Sequence, residues 1–247
     1  EPKLWHRFYF LFYQVDLCMH HLDYYQHPKH FVAVDCVIFG YEEGELKLLL
    51  YPRSFEPSQG NWSLMGGFVQ DNESVEEAAR RVLSQTTGLK EIFLEQVSAF
   101  SDPNRDSGAR VISIAFVALI PIHKHDKELV RESGAAWWPV TRIPSLVFDH
   151  NTMVQEALKK LQKRAMSQLT GRELLPSKFT LMQLRNLYEA IFQKDFDPGN
   201  FRKKALSMGV LERLNVKNTT ESKKGAFYYT FKAPAIETDT ISFIGEK

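Results

Sequence analysis

Residues 67–89 read GFVQDNESVEEAARRVLSQTTGL, and the spacing inside this stretch decides the fold. A short apolar strand over 61–69 carries the pair Gly66-Gly67, a polar loop follows, and Ser74 opens a segment of helical period. Over 74–86, Val75, Ala78, Ala79, Val82 and Leu83 fall on one face, as an amphipathic helix packed on a core requires. Gly88 stands where a left-handed C-cap ends such a helix.

These positions fit the pattern G-x5-E-x7-R-E-U-x-E-E-x-G-U, where U is a bulky aliphatic residue. Gly67, Glu73, Arg81, Leu83, Gly88 and Leu89 match it at the correct distances. The stretch therefore resembles the Nudix box, and the lead-in Trp62-Ser63-Leu64-Met65-Gly66-Gly67 is similar to that family's too. The departures are all of one kind. Val82, Gln85 and Thr86 stand in place of three glutamates to which the resemblance assigns Mg²⁺ or Mn²⁺ binding and activation of the attacking water. Hard divalent ions need anionic oxygen ligands, and the bound ion lowers the pKa of that water. A valine, an amide and a hydroxyl do not replace three negative charges. Glu76 and Glu77 match no ligand position and read as a solvated helix face. No catalytic residue, cofactor or metal is therefore expected.

Upstream, Phe31–Tyr41 is a β-branched and aromatic run, Glu43-Gly44 marks a turn, and Leu46–Tyr51 reads as the partner strand of a hairpin. Downstream, strands are expected at Phe93–Phe100, Val111–Ile120 and Ala136–Pro139. A helix over Asn151–Met166 has Met153, Ala157, Leu158, Leu161 and Ala165 on its apolar stripe and is capped by Asp149 or Asn151. Trp137 and Trp138 read as core or domain-interface residues. At the N-terminus, residues 4–18 (LWHRFYFLFYQVDLC) are aromatic, but too short and polar for a spanning helix, with no cleavage site after them. Residues 1–18 read as sequence upstream of a start at Met19, as an addition to the chain, or as an extra strand or helix docking on it. Cys18 and Cys36 lack zinc-site spacing and suit reduced thiols in a cytoplasmic protein, with a single disulfide as the alternative.

The chain has 247 residues, 44% hydrophobic and 25% charged, which suits one large globular domain or two ordinary ones. A net charge of +1 conceals an asymmetry: Gly171–Lys232 holds twelve Lys/Arg against six Asp/Glu, a balance of +6 that leaves about −5 elsewhere. Such a bias suggests a polyanionic partner for the C-terminal part. Thr170, Gly171 and Pro176 mark a boundary, after which the pattern changes. Thr180–Gln193 is a strong helix with Leu181, Leu184, Leu187, Tyr188 and Ile191 inward. Asp197-Pro198 caps a second helix that runs to Met208 and ends at Gly209, with Phe201, Ala205 and Leu206 inward. Val210–Leu214 and Phe227–Phe231 alternate as strands around a Lys-rich loop. Two helices and a two-strand wing make the winged form of helix-turn-helix, whose second helix enters the major groove. The expected architecture is α+β: a Nudix α/β/α sandwich with a mixed sheet, followed by a winged helix-turn-helix domain. The divisions are an N-terminal extension (1–24), the effector-binding domain (25–167), the DNA-binding domain (168–235) and a tail (236–247).

Over about 25–235 the chain resembles the Nudix-related transcriptional regulators, most clearly at Trp62–Gln70, Asn104–Ile120 and Phe201–Gly209. Some members of that group sense ADP-ribose in NAD metabolism, and a Bacteroides-type branch senses a pentose such as arabinose. The resemblance implies a homodimeric repressor on a double-stranded DNA operator, released by one of these effectors. The residues give their own candidates for DNA contact. Asn200, Arg202, Lys203 and Lys204 lie on the exposed side of the second helix. Arg202 has the geometry to read guanine, and Asn200 to read adenine. Lys178, Lys223 and Lys224 suit phosphates, although any one lysine reads equally well as a solvated charge. For the effector, Arg53, Phe55, Glu56, Trp62, Gly67, Arg105, Arg110 and Asp149 are the candidates, within the segments Asn104-Arg105-Asp106 and Phe148-Asp149-His150, with Arg105–Asp106 as a loop ion pair and Asp149 as a mere cap the plain alternatives. Two other readings stand beside this one: an active Nudix pyrophosphohydrolase with relocated metal ligands, and a winged helix that binds protein rather than DNA.

Overall fold

The computed structural model describes residues 25–89, 92–122, 127–132, 134–219 and 225–232. Residues 1–18, Cys18, Lys223, Lys224 and the tail fall outside this set. Two compact units divide at Phe31–Val32. In the first, the described residues include Lys29, whose ammonium lies 5.0 Å from the Tyr25 ring centre. Apart from Phe31, the first residue of β1, everything that follows belongs to the second unit.

The central sheet is built on β1 (Phe31–Glu42), β2 (Glu45–Pro52), β3 (Trp62–Ser63), β4 (Met65–Phe68), β5 (Phe93–Phe100), β6 (Val111–Leu119) and β7 (Ala136–Pro139). Its order is β3-β2-β1-β6-β5, with β4 paired to β1 and β7 to β2. β1 and β2 form the expected antiparallel hairpin, turning at Glu43-Gly44. Side chains alternate between two cores. Val34, Cys36 and Ile38 point to one face, and Val37 and Phe39 to the other. β6 and the residue after it behave likewise, with Phe116, Ala118 and Ile120 on the first face and Ala115, Val117 and Leu119 on the second. Burial on both faces explains why these strands read as continuous apolar runs rather than as alternating ones.

Helix α1 (Val75–Thr87) covers the first face through Ala78, Ala79, Val82 and Leu83. Its ends are as the sequence demands: Ser74 and Glu77 form a capping box, and Gly88 takes the left-handed C-cap at φ 70°. A short helix α2 (Lys127–Glu132), not anticipated from the sequence, follows β6. Helix α3 (His150–Ser167) covers the second face through Met153, Val154, Ala157, Leu161 and Ala165. Its cap corrects the expectation. Asp149 occupies the N-cap without a side-chain capping bond, and Asn151 Oδ1 instead accepts from the Leu146 amide (2.9 Å).

After α3 come β8 (Phe179–Thr180), α4 (Leu181–Phe192), α5 (Pro198–Ser207), β9 (Leu211–Asn218) and β10 (Ala226–Phe231). The wing sheet runs β8-β10-β9, and β9 extends four residues further than the sequence suggested, to Asn218 rather than Leu214. β8, at two residues, is too short to carry a period. Thr180 caps α4 in a second capping box, and Asp197 caps α5 with Pro198 in its first turn. One inward assignment is wrong. On α5, Phe201 and Ala205 are buried, but Leu206 is 38% exposed.

The expected boundary at 167/168 falls at the end of α3, yet the hydrophobic core runs across it. Leu48 and Leu50 of β2, Ala157 and Leu161 of α3, and Leu184, Leu187 and Tyr188 of α4 belong to one continuous cluster, which extends to Phe201. Polar contacts reinforce the junction. Gln162 Nε2 donates to the Ile191 carbonyl (2.9 Å), and the Thr170 amide donates to the Tyr188 hydroxyl (2.8 Å).

Candidate functional site

The box lead-in is pinned to β1 by backbone pairing, with Val34 opposite Gly67 and Asp35 opposite Gly66. A Cβ on Gly66 would lie 2.4 Å from Asp35 Oδ1 and 2.8 Å from the Val34 carbonyl, so only glycine lets these strands meet. The 68–73 loop is tied back to α1. Arg81 Nε and Nη2 donate to the two Glu73 oxygens (2.9 and 2.5 Å), and Nη2 also reaches the Phe68 carbonyl (3.0 Å). The Arg81 guanidinium holds the Glu73 carboxyl down at about 2. The two matched charges of the box therefore brace its loop.

The positions that carry metal ligands in the resembled family do not fit a metal here. Val82 is 5% exposed and turned into the core, where it limits the space beside Gly67. Thr86 Oγ1 donates to the Val82 carbonyl of its own helix (2.6 Å), and Gln85 is a neutral amide on the surface. Among the described residues there is no group of three or more His, Cys, Asp or Glu able to hold a metal ion.

Beside the box, at the ends of β1, β2 and β4, opens a cleft of about 200 Å³. Arg53, Phe55, Gly67 and Arg105 line it, as the sequence suggested. Arg53 Nε donates to the Phe55 and Pro57 carbonyls (3.1 and 2.7 Å), and its guanidinium stacks 3.9 Å from the Phe55 ring and 5.1 Å from Phe148. This anchoring engages Nε and leaves both Nη groups without a hydrogen-bond partner among the described residues. Four other candidates lie off the lining. Trp62 packs edge-on against Trp138 (5.4 Å), and Arg110 bonds the Ser101 and Asp102 carbonyls (3.0 and 3.2 Å). Glu56 is an exposed loop residue, and Asp149 sits behind Arg105 rather than in the cleft.

Asp35, Ser63 and His150 also line this space; His150 belongs to the candidate segment Phe148-Asp149-His150, whereas Asp35 and Ser63 carry no signal in the sequence. Asp35 and Arg105 are each 8% exposed and His150 3%. Arg105 makes a bidentate pair with Asp149 (2.9 and 2.7 Å) and lies 3.8 Å from Asp35. Ser113 donates to Asp35 Oδ2 (2.5 Å). The Leu64 amide donates to His150 Nδ1 (3.2 Å). Burial pushes the His150 imidazole below its ordinary value, against the pull of Asp35.

On the winged helix, Asn200, Arg202 and Lys203 are exposed and Lys204 half-buried, while Lys178 is exposed just before β8. Arg213 and Lys217 of β9 are exposed too, and their charges lie 4.6 and 4.9 Å from the Phe227 ring centre on the wing. No helix among the described residues is long and apolar enough to cross a membrane.

Comparison with known proteins agrees with both halves. The NUDIX domain family matches residues 29–157, and the NrtR DNA-binding winged helix domain matches residues 171–231. The chain is 28% identical over 209 residues to an ADPR responsive transcriptional repressor, NtrR, of Acinetobacter baylyi, covering 83% of each. It is 35% identical to an ADP-ribose pyrophosphatase of Methanocaldococcus jannaschii, over 55% of this chain and 76% of that protein. The crystal structure of Shewanella oneidensis NrtR complexed with a 27mer DNA superposes with a TM-score of 0.73 at 28% identity, covering 81% of this chain and 93% of that one. The chain belongs to the Nudix family, as a Nudix-related transcriptional regulator in which an NrtR-type winged helix domain follows the Nudix domain.

Proposed function

We propose that this chain is a DNA-binding repressor whose Nudix domain binds an effector without hydrolysing it. The observation that carries the reading is the continuity of the core. A cleft with a pre-set cation, beside a box that has Val82, Gln85 and Thr86 in place of its glutamates, is packed, through β2 and α3, directly onto a winged helix with a basic exposed face. ADP-ribose is the first effector to consider, because the Acinetobacter relative is named as responsive to it. Arg53, stacked between two aromatic rings, suits a diphosphate. A free pentose such as arabinose is the second reading, favoured by the cleft's small volume and its buried carboxylate. The chain works as a homodimer on a roughly palindromic operator with half-sites about 34 Å apart, in the cytoplasm where such an operator lies.

Arg202 and Lys203 contact DNA from the exposed face of α5, with Asn200 and Lys204 beside them and Lys178, Lys223 and Lys224 on flanking phosphates. The test is binding of a labelled operator, followed by fluorescence anisotropy with and without ADP-ribose or L-arabinose. Arg202→Glu and Lys203→Glu abolish specific binding without loss of fold, and wild-type affinity falls steeply with salt. Normal operator binding by both variants overturns the assignment. Salt-insensitive capture of a protein by the winged helix favours the protein-partner reading. Turnover of ADP-ribose with Mg²⁺ or Mn²⁺, lost on Glu73→Gln, favours the pyrophosphohydrolase.

A further inference from the structure

Two buried polar groups face each other across a gap at the inner end of the cleft. His150 Nδ1 is committed as the acceptor of the Leu64 amide (3.2 Å), so the neutral ring carries its proton on Nε2. That Nε2 lies 3.7 Å from Asp35 Oδ1, beyond hydrogen-bond length. Asp35 Oδ2 already accepts the Ser113 hydroxyl, while Oδ1 has no donor within reach among the described residues. A donor and an acceptor, both about nine-tenths buried, thus stand 3.7 Å apart and can each bond a third group that both accepts and donates.

Charge and size decide what that group belongs to. Asp35 and Asp106 line the cleft, and the Arg105 charge beside them is already matched by Asp149, so a phosphate is disfavoured at this end. In the same lining, against Phe55 and 5.1 Å from the Phe148 ring centre, the Arg53 guanidinium offers its Nη donors. The volume of about 200 Å³ falls below the roughly 300–1,000 Å³ of pockets that enclose a drug-sized ligand. The cleft therefore encloses one small uncharged ring and leaves any remainder to pass Arg53.

We propose that Asp35 and His150 form a hydroxyl-recognition subsite for a pentose ring. One ring hydroxyl donates to Asp35 Oδ1 and accepts from His150 Nε2–H, while any diphosphate attached to the ring runs outward to Arg53. This deepens the proposed function and rests on the cleft being the effector site.

Isothermal titration of the full chain with ADP-ribose, ADP, D-ribose and L-arabinose tests it, on the wild type and Asp35→Asn. The wild type prefers ADP-ribose over ADP by about tenfold to a hundredfold, as a hydrogen bond to a buried charged group supports. Asp35→Asn loses most of that preference, because it weakens ADP-ribose more than ADP. Equal wild-type affinities for ADP and ADP-ribose overturn the subsite, and so does an equal loss for both in the variant. Should Asp35→Asn not fold, the wild-type comparison of the two ligands decides alone. Binding of a free pentose without ADP-ribose, lost in Asp35→Asn, supports the subsite while removing the ADP-ribose reading. Binding of none of the four overturns both.

Discussion

Asp149 stands at the N-cap of α3, yet both of its carboxylate oxygens accept from Arg105, at 2.9 and 2.7 Å. The residue that begins the helix leading to the winged helix is thereby tied to the wall of the cleft. The Arg105 side chain is 3% exposed, so its charge depends on this partner. Removing one member of a buried pair leaves the other uncompensated, at about 3–5 kcal/mol. Asp35, 3.8 Å away, offsets part of that loss. Asp149→Ala is therefore expected to destabilise the protein by about 3 kcal/mol in urea unfolding, and Arg105→Met with Asp149→Leu to recover much of it. A loss no larger than an exposed pair gives, under about 1 kcal/mol, would show that the pair is only a surface contact.

The imidazole of His150 makes a prediction in pH. Burial lowers its pKa in the folded chain below the 6.5 of the free side chain, with Asp35 and Asp149 pulling upward and Arg105 and Arg53 downward. A lowered folded value means that the unfolded chain takes up the proton first. The stabilisation is complete above pH 6.5 and is lost as pH falls below it. Urea midpoints measured at about pH 7.5, 6.5 and 5.5 should fall across the lower interval. His150→Gln, whose amide oxygen can still accept from Leu64, should flatten that step. A midpoint that rises on acidification contradicts the burial argument.

How much of this was readable beforehand depends on what each residue's signal is. The box declared itself because its glycines, Glu73 and Arg81 serve local geometry: a strand contact, a loop brace and a helix cap are all written within 23 residues. Arg105 and Arg53 were readable as charges beside strand ends. Asp35 was not, because it sits inside the apolar run of β1, where burial on both faces erases the alternation that would mark a cleft-facing position. His150 stands in the candidate segment Phe148-Asp149-His150, but its pairing with Asp35 is made only by the fold, across 115 positions of chain. Leu206 reads as inward because a leucine beside a buried alanine fits a helical stripe. Phe201 and Ala205 fill the narrow contact of α5 by themselves and leave Leu206 outside.

Tyr188 tests the joint between the domains. Its hydroxyl accepts the Thr170 amide at 2.8 Å, and the ring is fully buried where α3 meets α4. Tyr188→Phe leaves that amide unpaired in the core, at about 1–3 kcal/mol. The expected result is lower stability, with ADP-ribose affinity retained and a weaker effect of the ligand on operator binding. Unchanged stability would mean that water replaces the hydroxyl.

The exposed Leu206 carries the last prediction. The inward Phe201 and Ala205 fix the rotation of α5, so Leu206 lies one turn after Arg202, on the same outer face. In the major groove an apolar side chain reads the 5-methyl group of thymine. One methyl removed from such a contact is worth about 0.8 kcal/mol, roughly a fourfold change in affinity. Replacing single thymines of the operator by uracil should therefore weaken wild-type binding about fourfold at one position in each half-site. Leu206→Ala should bind the thymine and uracil operators alike. If every uracil operator binds the wild type as the thymine one does, Leu206 faces the backbone or a protein neighbour instead of a base.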